Sequence, residues 1–219
     1  MNIGELLSQY GGKYAIALLT TWELTAVSFA LALALGVLIT AMRVSPIRPL
    51  RIMAELYVQI FRNIPGVALL IFLVYALPYL NLIFSYQTCV LTATTLIPAS
   101  FCSEYLMSGM NMIDKGQIEA ARALGMRFTH VLRKVVIPQA LRNSVLPLTN
   151  LLVATMLTTS LASQVPMNPM ELTGLVSHIN THSVGGIMAF VISAALYCAT
   201  AILIGQIGSL IDRKVRIVR

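Results

Sequence analysis

Apolar positions run along this chain in long unbroken stretches rather than in short alternations. Five segments, about 14–42, 54–82, 88–110, 139–165 and 185–211, each carry the roughly 20 mainly apolar residues that a helix needs to cross a hydrocarbon core of about 30 Å. Strands of a membrane barrel would alternate over about 10 residues instead. The pattern therefore predicts an all-α integral membrane protein of about five transmembrane helices, read as one domain over 1–219. Polar residues concentrate between the segments, most of all in the stretch from Asn111 to Pro138.

Composition sharpens this: 58% of residues are hydrophobic and 11% charged, so lipid is the solvent. The chain begins with Glu5 and no basic cluster ahead of the first apolar run, unlike a cleavable signal peptide, so the first helix is expected to stay in the mature protein. Cys89, Cys102 and Cys198 lie inside apolar segments without CxxC spacing, which indicates packing and neither a disulfide framework nor a metal site.

The net charge of +7 is distributed unevenly. Arg43, Arg48, Arg51, Lys115, Arg122, Arg127, Arg133, Lys134, Arg142, Arg213, Lys214, Arg216 and Arg219 fall on one set of connections. Lys13 is alone on the other, and Arg62 sits within the second segment. The positive-inside rule then predicts an N-terminus outside and a C-terminus inside. Basic residues beside spans are explained by lipid and topology, so nucleic acid is not an expected partner.

The loop 111–138 is too patterned for a slack linker. Ile118, Ala121, Ala123 and Leu124 interleave with Glu119 and Arg122, and Gly125 supplies a stop, which predicts a short amphipathic cytoplasmic helix. On pattern alone, such a helix can dock into a partner's groove or lie on lipid headgroups.

The residues themselves carry a resemblance. Gly116-Gln117-Ile118-Glu119-Ala120-Ala121, then Gly125, then Val135-Val136-Ile137-Pro138 resembles the EAA motif of the permease subunits of type I ATP-binding-cassette (ABC) importers. Tyr57 to Pro65 looks like the Y-x-E-x-x-R-G-T-P segment of the polar amino-acid branch, and Pro138-Gln139-Ala140 and Thr159-Ser160-Leu161 add further matches. The resemblance implies that Gln117, Glu119, Ala120, Ala121, Gly125 and Pro138 form a coupling element seated on a cytoplasmic ABC ATPase dimer. A second permease subunit, in a heterodimer or homodimer, and an extracytoplasmic solute-binding protein complete the implied assembly in the bacterial cytoplasmic (inner) membrane. The implied cargo is a polar amino acid, with glutamate, glutamine or a basic amino acid as candidates. No GxxxxGK[ST] run occurs, so ATP and Mg are expected on the partner and this chain is expected to be neither an enzyme nor a cofactor binder.

Departures from the branch pattern fall on the cargo side. Gln59 replaces an acid, Asn63-Ile64 replaces Gly-Thr, Met107 stands where Arg is usual, and Leu157-Thr158 replaces Lys and an acid. This suits the less polar half of a heterodimer.

Candidate path residues are Arg62, Asn63, Glu104, Thr158, Thr159, Ser160 and Gln164. Glu104, inside an apolar segment, needs a partner, and a structural ion pair with Arg62 is favoured over substrate contact. The hydroxyls of 158–160 can line a route for a zwitterion or bond helix to helix. His178 and His182 have i, i+4 spacing but no third ligand nearby, so a pair in a surface loop is preferred to a metal site. An ion-coupled secondary transporter is the alternative reading; inverted repeats and broken helices would mark it, and the sequence displays neither by eye. HExxH and Ser/His/Asp signatures of a membrane enzyme are absent.

Overall fold

The computed structural model describes residues 3–215, so Arg216 and Arg219 of the basic set lie outside the described residues. Those residues are almost entirely helical, with no strand among them. α1 is Ile3–Arg43, α2 Arg48–Asn63 and α3 Gly66–Ile71, the last continued by a π-helical turn, Phe72–Ala76, and a 3-10 turn, Leu77–Leu80. α4 is Tyr86–Asn111, α5 Lys115–Ala123 and α6 Phe128–Val131, followed by a π-helical turn, Leu132–Val136. α7 is Ile137–Asn143, α8 Val145–Thr158 with a 3-10 extension Thr159–Gln164, α9 Leu172–His182 and α10 Gly186–Val215.

The bundle is inverted relative to a water-soluble one. Leu19, Leu38, Phe190 and Leu203 are all more than half exposed, while Thr21, Ser28, Thr94, Ser100, Ser103 and Thr155 are buried. Hydroxyls inside and leucines outside suit a lipid surround, where helices associate through small residues and a few interhelical bonds. Thr21, Thr25 and Thr155 return their hydroxyls to carbonyls four residues back, so they cost little to bury.

α1 and α4 form the central pair. The Ser28 hydroxyl meets Thr94 at 2.7 Å and the Thr40 hydroxyl meets Ser103 at 3.1 Å, so positions ascend together and the two helices run parallel. Each such bond contributes on the order of 0.6 kcal/mol in a membrane bundle. Gly36 permits the close approach, because a Cβ there would overlap Cys102. On α4's other side, Gly66 faces Ile97 while Leu69 and Leu70 share a cluster with Val90 and Ala93, so α3 runs antiparallel to α4.

Two expectations about the spans change. The segment 54–82 is not one straight helix: α2 and the stretch Gly66–Leu80 meet at an angle of 102°. Pro65 lacks an N–H and pushes Ile64 into extended backbone, φ −83° and ψ 127°, so the helix has to stop there. The count of five also divides. α1, Val145–Gln164 and α10 are long and apolar enough to cross a membrane alone, and the bent pair makes up to a fourth. α4 coincides with the third expected segment but carries seven Ser and Thr residues and Glu104, and its buried residues face α1, α2, α7 and α8. A central helix meets protein rather than lipid on many faces and tolerates that polarity.

α9 fills a stretch expected to be a loop. It packs Leu172, Leu175 and Ile179 against Leu6, Tyr10, Tyr14 and Ala17 of α1, the first two ahead of the expected start of the first span at residue 14. His178 and His182 therefore ride on its last turns rather than in a loop, with ring centroids 4.3 Å apart.

Candidate functional site

The expected amphipathic helix in 111–138 is α5. Asp114 caps its start, accepting from the Gly116 N–H at 2.7 Å. Its end is a Schellman turn: the Gly125 N–H donates to the Arg122 carbonyl at 2.9 Å and the Met126 N–H to the Ala121 carbonyl at 3.2 Å. That turn needs Gly125 at φ +81°, where a Cβ would find nothing within 4 Å, so glycine is required for conformation and not for space. Gln117, Glu119 and Ala120 are exposed and Ala121 is buried at 7%.

Beyond α5 the chain returns to the bundle through a tight joint. Gln139 donates to the Gln117 side chain at 2.8 Å, linking α7 to α5. Pro138 has no N–H to donate, and the helix accommodates it with the preceding π-helical turn. α7 then lies against α4: a Cβ on Gly109 would meet the Ser144 hydroxyl and, at 2.7 Å, the Ala140 carbonyl oxygen. Asn143 donates to the Gly109 carbonyl at 3.2 Å and Ser144 to the Tyr105 carbonyl at 3.1 Å. α5 is thus connected through α7 to α4 by direct contact. Leu124, expected on the apolar side of this helix, is 83% exposed, and sequence reasoning missed Phe128 and Met112 beside it, each 60% exposed.

The expected Arg62–Glu104 pair forms at 3.3 Å, and the other carboxylate oxygen takes Arg43 at 2.9 Å. The sequence places Arg43 only among the loop cations; as the last residue of α1 it reaches sideways into α4. Glu104 therefore ties together the ends of α1 and α2 and the lower part of α4. Asn63 bonds back to the Gln59 carbonyl at 2.6 Å.

The second group of path candidates lies at the end of α8 and on its 3-10 extension. Thr158 donates to the Ala154 carbonyl at 2.7 Å and Thr159, fully buried, to the Met156 carbonyl at 2.6 Å. Ser160 is half-buried, and Gln164 is exposed and bonds Ser163 at 3.2 Å. The two groups approach at Gly66, three residues past Asn63, where a Cβ would stand 3.0 Å from Leu161. Glu104 is not drawn to the 158–164 group; its two oxygens are held by the two arginines.

A buried acid outside these groups also escaped the sequence reading. Glu171 is 1% exposed and caps α9, accepting from the N–H groups of Thr173 and Gly174 at 2.6 Å each and from the Tyr197 hydroxyl at 2.9 Å. Burial raises its carboxyl above the ordinary range, against the opposing pull of those donors. An acid immediately ahead of an apolar-periodic run was the available signal. At the exposed end of α9, desolvation first and then the charges of His182 and Lys13 lower the affinity of His178 for a proton.

Lipid-facing helices around a polar interior, with one short helix carried outside the bundle, suit the membrane component of a transporter. Comparison with known proteins agrees: residues 32–217 match the family described as binding-protein-dependent transport system inner membrane component, and the chain belongs to that family. Among relatives, it is 33% identical over 175 residues to the glutamate transport system permease protein GluC of Corynebacterium efficiens, covering 74% of this chain and 76% of that one. It is 31% identical over 184 residues to the probable glutamine ABC transporter permease protein GlnP of Bacillus subtilis, covering 83% and 84%. A solved amino acid ABC transporter, crystallised with histidines, has the same fold, with a TM-score of 0.90 at 24% identity over 98% of this chain and 99% of that one.

Proposed function

We propose that this chain is the membrane-spanning subunit of an ABC importer that carries a polar amino acid across the bacterial cytoplasmic membrane. Energy is supplied by ATP and Mg held on a separate ATPase dimer, and this chain hydrolyses nothing. An extracytoplasmic solute-binding protein delivers the cargo, and a second permease subunit completes the path. The basic residues beside α5 and at the end of α10 support a reading, in one domain, with those elements inside and the N-terminus outside. The glutamate and glutamine relatives support an amino-acid cargo.

The observation that carries this reading is the construction of α5. Gln117, Glu119 and Ala120 face outward on a helix whose two ends are fixed by Asp114 and Gly125, and Gln139 and Gly109 connect it to α4. In this role Glu119 makes a charge-assisted bond to the ATPase while Ala120 allows close seating, and Ala121, buried at 7%, packs α5 against this chain instead. Pro138 sets the turn by which the motion enters α7. Arg62, Asn63, Glu104, Thr158, Thr159, Ser160 and Gln164 line or brace the route, with Glu104 acting as a brace through its arginines.

Co-purification with the ATPase, then amino-acid-stimulated ATP hydrolysis in proteoliposomes, tests the proposal with Glu119→Lys as the variant. Loss of ATPase retention or of stimulation is expected. Undiminished partner binding and stimulation in that variant would refute the assignment of α5.

A further inference from the structure

α7 lies against α4 but stands off from the last turns of α1, and the space between them is an apolar groove of about 130 Å³. Leu106, which is buried, and Met110 of α4 form its floor. Val37, Ala41 and Val44 make the wall on α1, and Ile137 and Leu141 the wall on α7. Thr40 is the only hydroxyl residue on the lining, and its oxygen is engaged elsewhere, with the Gly36 carbonyl at 2.7 Å and Ser103 at 3.1 Å. The lining thus offers water almost no hydrogen bond, and left unfilled it forfeits dispersion contacts. Val37, Ala41 and Leu141 are exposed, so the groove is open along its side.

Its rim is basic. Leu132 and Leu141 of the lining are each followed by an arginine, Arg133 and Arg142, and Lys134 adds a third cation. The π-helical turn Leu132–Val136 brings Arg133 within one turn of Ile137 on the same side of the helix. All three cations are exposed, and neither ion pair among the described residues uses them. Arg43, by contrast, is already held by Glu104. An apolar slot with uncompensated positive charge at its edge suits an amphiphile with a hydrocarbon tail and an anionic head. From Val37 to Val44 the slot runs about 10 Å at helical rise, roughly two-thirds of one leaflet of a hydrocarbon core of about 30 Å.

We infer that the groove between α1 and α7 is a binding site for an anionic phospholipid, with one acyl chain lying along Val37 to Val44 and the phosphate headgroup meeting Arg133 and Arg142. The tail supplies to Ile137 and Leu141 the contacts that α4 supplies to Ala140 on the other side of α7. A zwitterionic lipid fills the slot equally well but carries no net charge to set against the rim, and a free anion meets the rim but leaves the slot empty. The site is independent of which cargo the protein carries.

The test titrates the complete complex in detergent with phosphatidylglycerol or with phosphatidylcholine of the same acyl chains, and counts bound lipid by native mass spectrometry. One phosphatidylglycerol per copy of this chain is expected to remain at concentrations where phosphatidylcholine is lost. Arg133→Gln and Arg142→Gln should each weaken that retention about 5-fold, and together about 25-fold. Arg51→Gln removes a charge from the same end of the bundle but from α2, which contributes nothing to the groove, and should leave retention unchanged. Ala41→Phe fills the slot from an exposed position and should abolish retention, with the thermal midpoint of the lipid-free complex near wild type. Equal retention of the two lipids by the wild type overturns the inference, as does an effect of Arg51→Gln equal to that of Arg133→Gln. It is also overturned if Ala41→Phe releases another subunit while the lipid count stays the same, since the groove is then a protein contact. If Ala41→Phe does not fold, the charge variants decide.

Discussion

Replacing Gly109 by alanine puts a methyl group 2.7 Å from the Ala140 carbonyl oxygen and against the Ser144 hydroxyl. The hydroxyl can rotate, but the carbonyl is backbone and cannot. To restore ordinary contact at 3.4 Å, α7 has to back away from α4, straining the Asn143–Gly109 and Ser144–Tyr105 bonds. Overpacking of this kind costs about 1–3 kcal/mol, against a helix-propensity gain of about 1 kcal/mol for alanine over glycine. A net loss on the order of 1 kcal/mol is expected. Gly11→Ala is the control: it lies in α1 with nothing within 4 Å of the new methyl, so the same chemical change should stabilise by about 0.5–1 kcal/mol. Denaturant unfolding in detergent measures both, and amino-acid-stimulated ATPase activity reports the joint. Gly109→Ala should hydrolyse ATP with blunted stimulation, since motion of α5 reaches α4 across this contact. Equal stability of the two variants, or full stimulation in Gly109→Ala, would refute the reasoning.

Two further outcomes follow from other contacts. Arg43→Gln should destabilise more than Arg62→Gln, by about 1–3 kcal/mol against under about 1 kcal/mol. Arg43 is the closer and less exposed partner of Glu104, at 15% side-chain exposure against 38%, and unfolding midpoints of the two variants give the comparison. Gly125→Ala should cost about 1–2 kcal/mol from the left-handed backbone alone and Gly125→Asn less, and ATPase co-purification should weaken in the same order because the cap aims α5.

Periodicity and residue type made much of this architecture legible. α1, α4 and α10 follow from their apolar runs, α5 from its amphipathic pattern and glycine stop, and the Arg62–Glu104 pair from the cost of burying an acid alone. The break at Ile64–Pro65 was written in the sequence, but the apolar residues on both sides of it read as one continuous span. What remained illegible is non-local. Nothing near Arg43 in sequence marks it as the partner of Glu104, far along the chain. Glu171 and Tyr197 meet only because α9 folds back onto α1 and α10. Those pairings depend on which faces the bundle turns inward, and hydrophobic periodicity is silent about faces when both lipid and protein are apolar.

The parallel course of α1 and α4 has a geometric consequence for the surrounding lipid. Parallel neighbours oblige the chain to cross back between them, and the stretch antiparallel to α4 is Gly66–Leu80. Its roughly 15 residues reach about 22 Å at helical rise, short of a hydrocarbon core of about 30 Å. α2 has to supply the rest of the crossing, so the reach of the return leg along the membrane normal is set by the bend at Ile64–Pro65, and bilayer thickness becomes a physical variable acting on that angle.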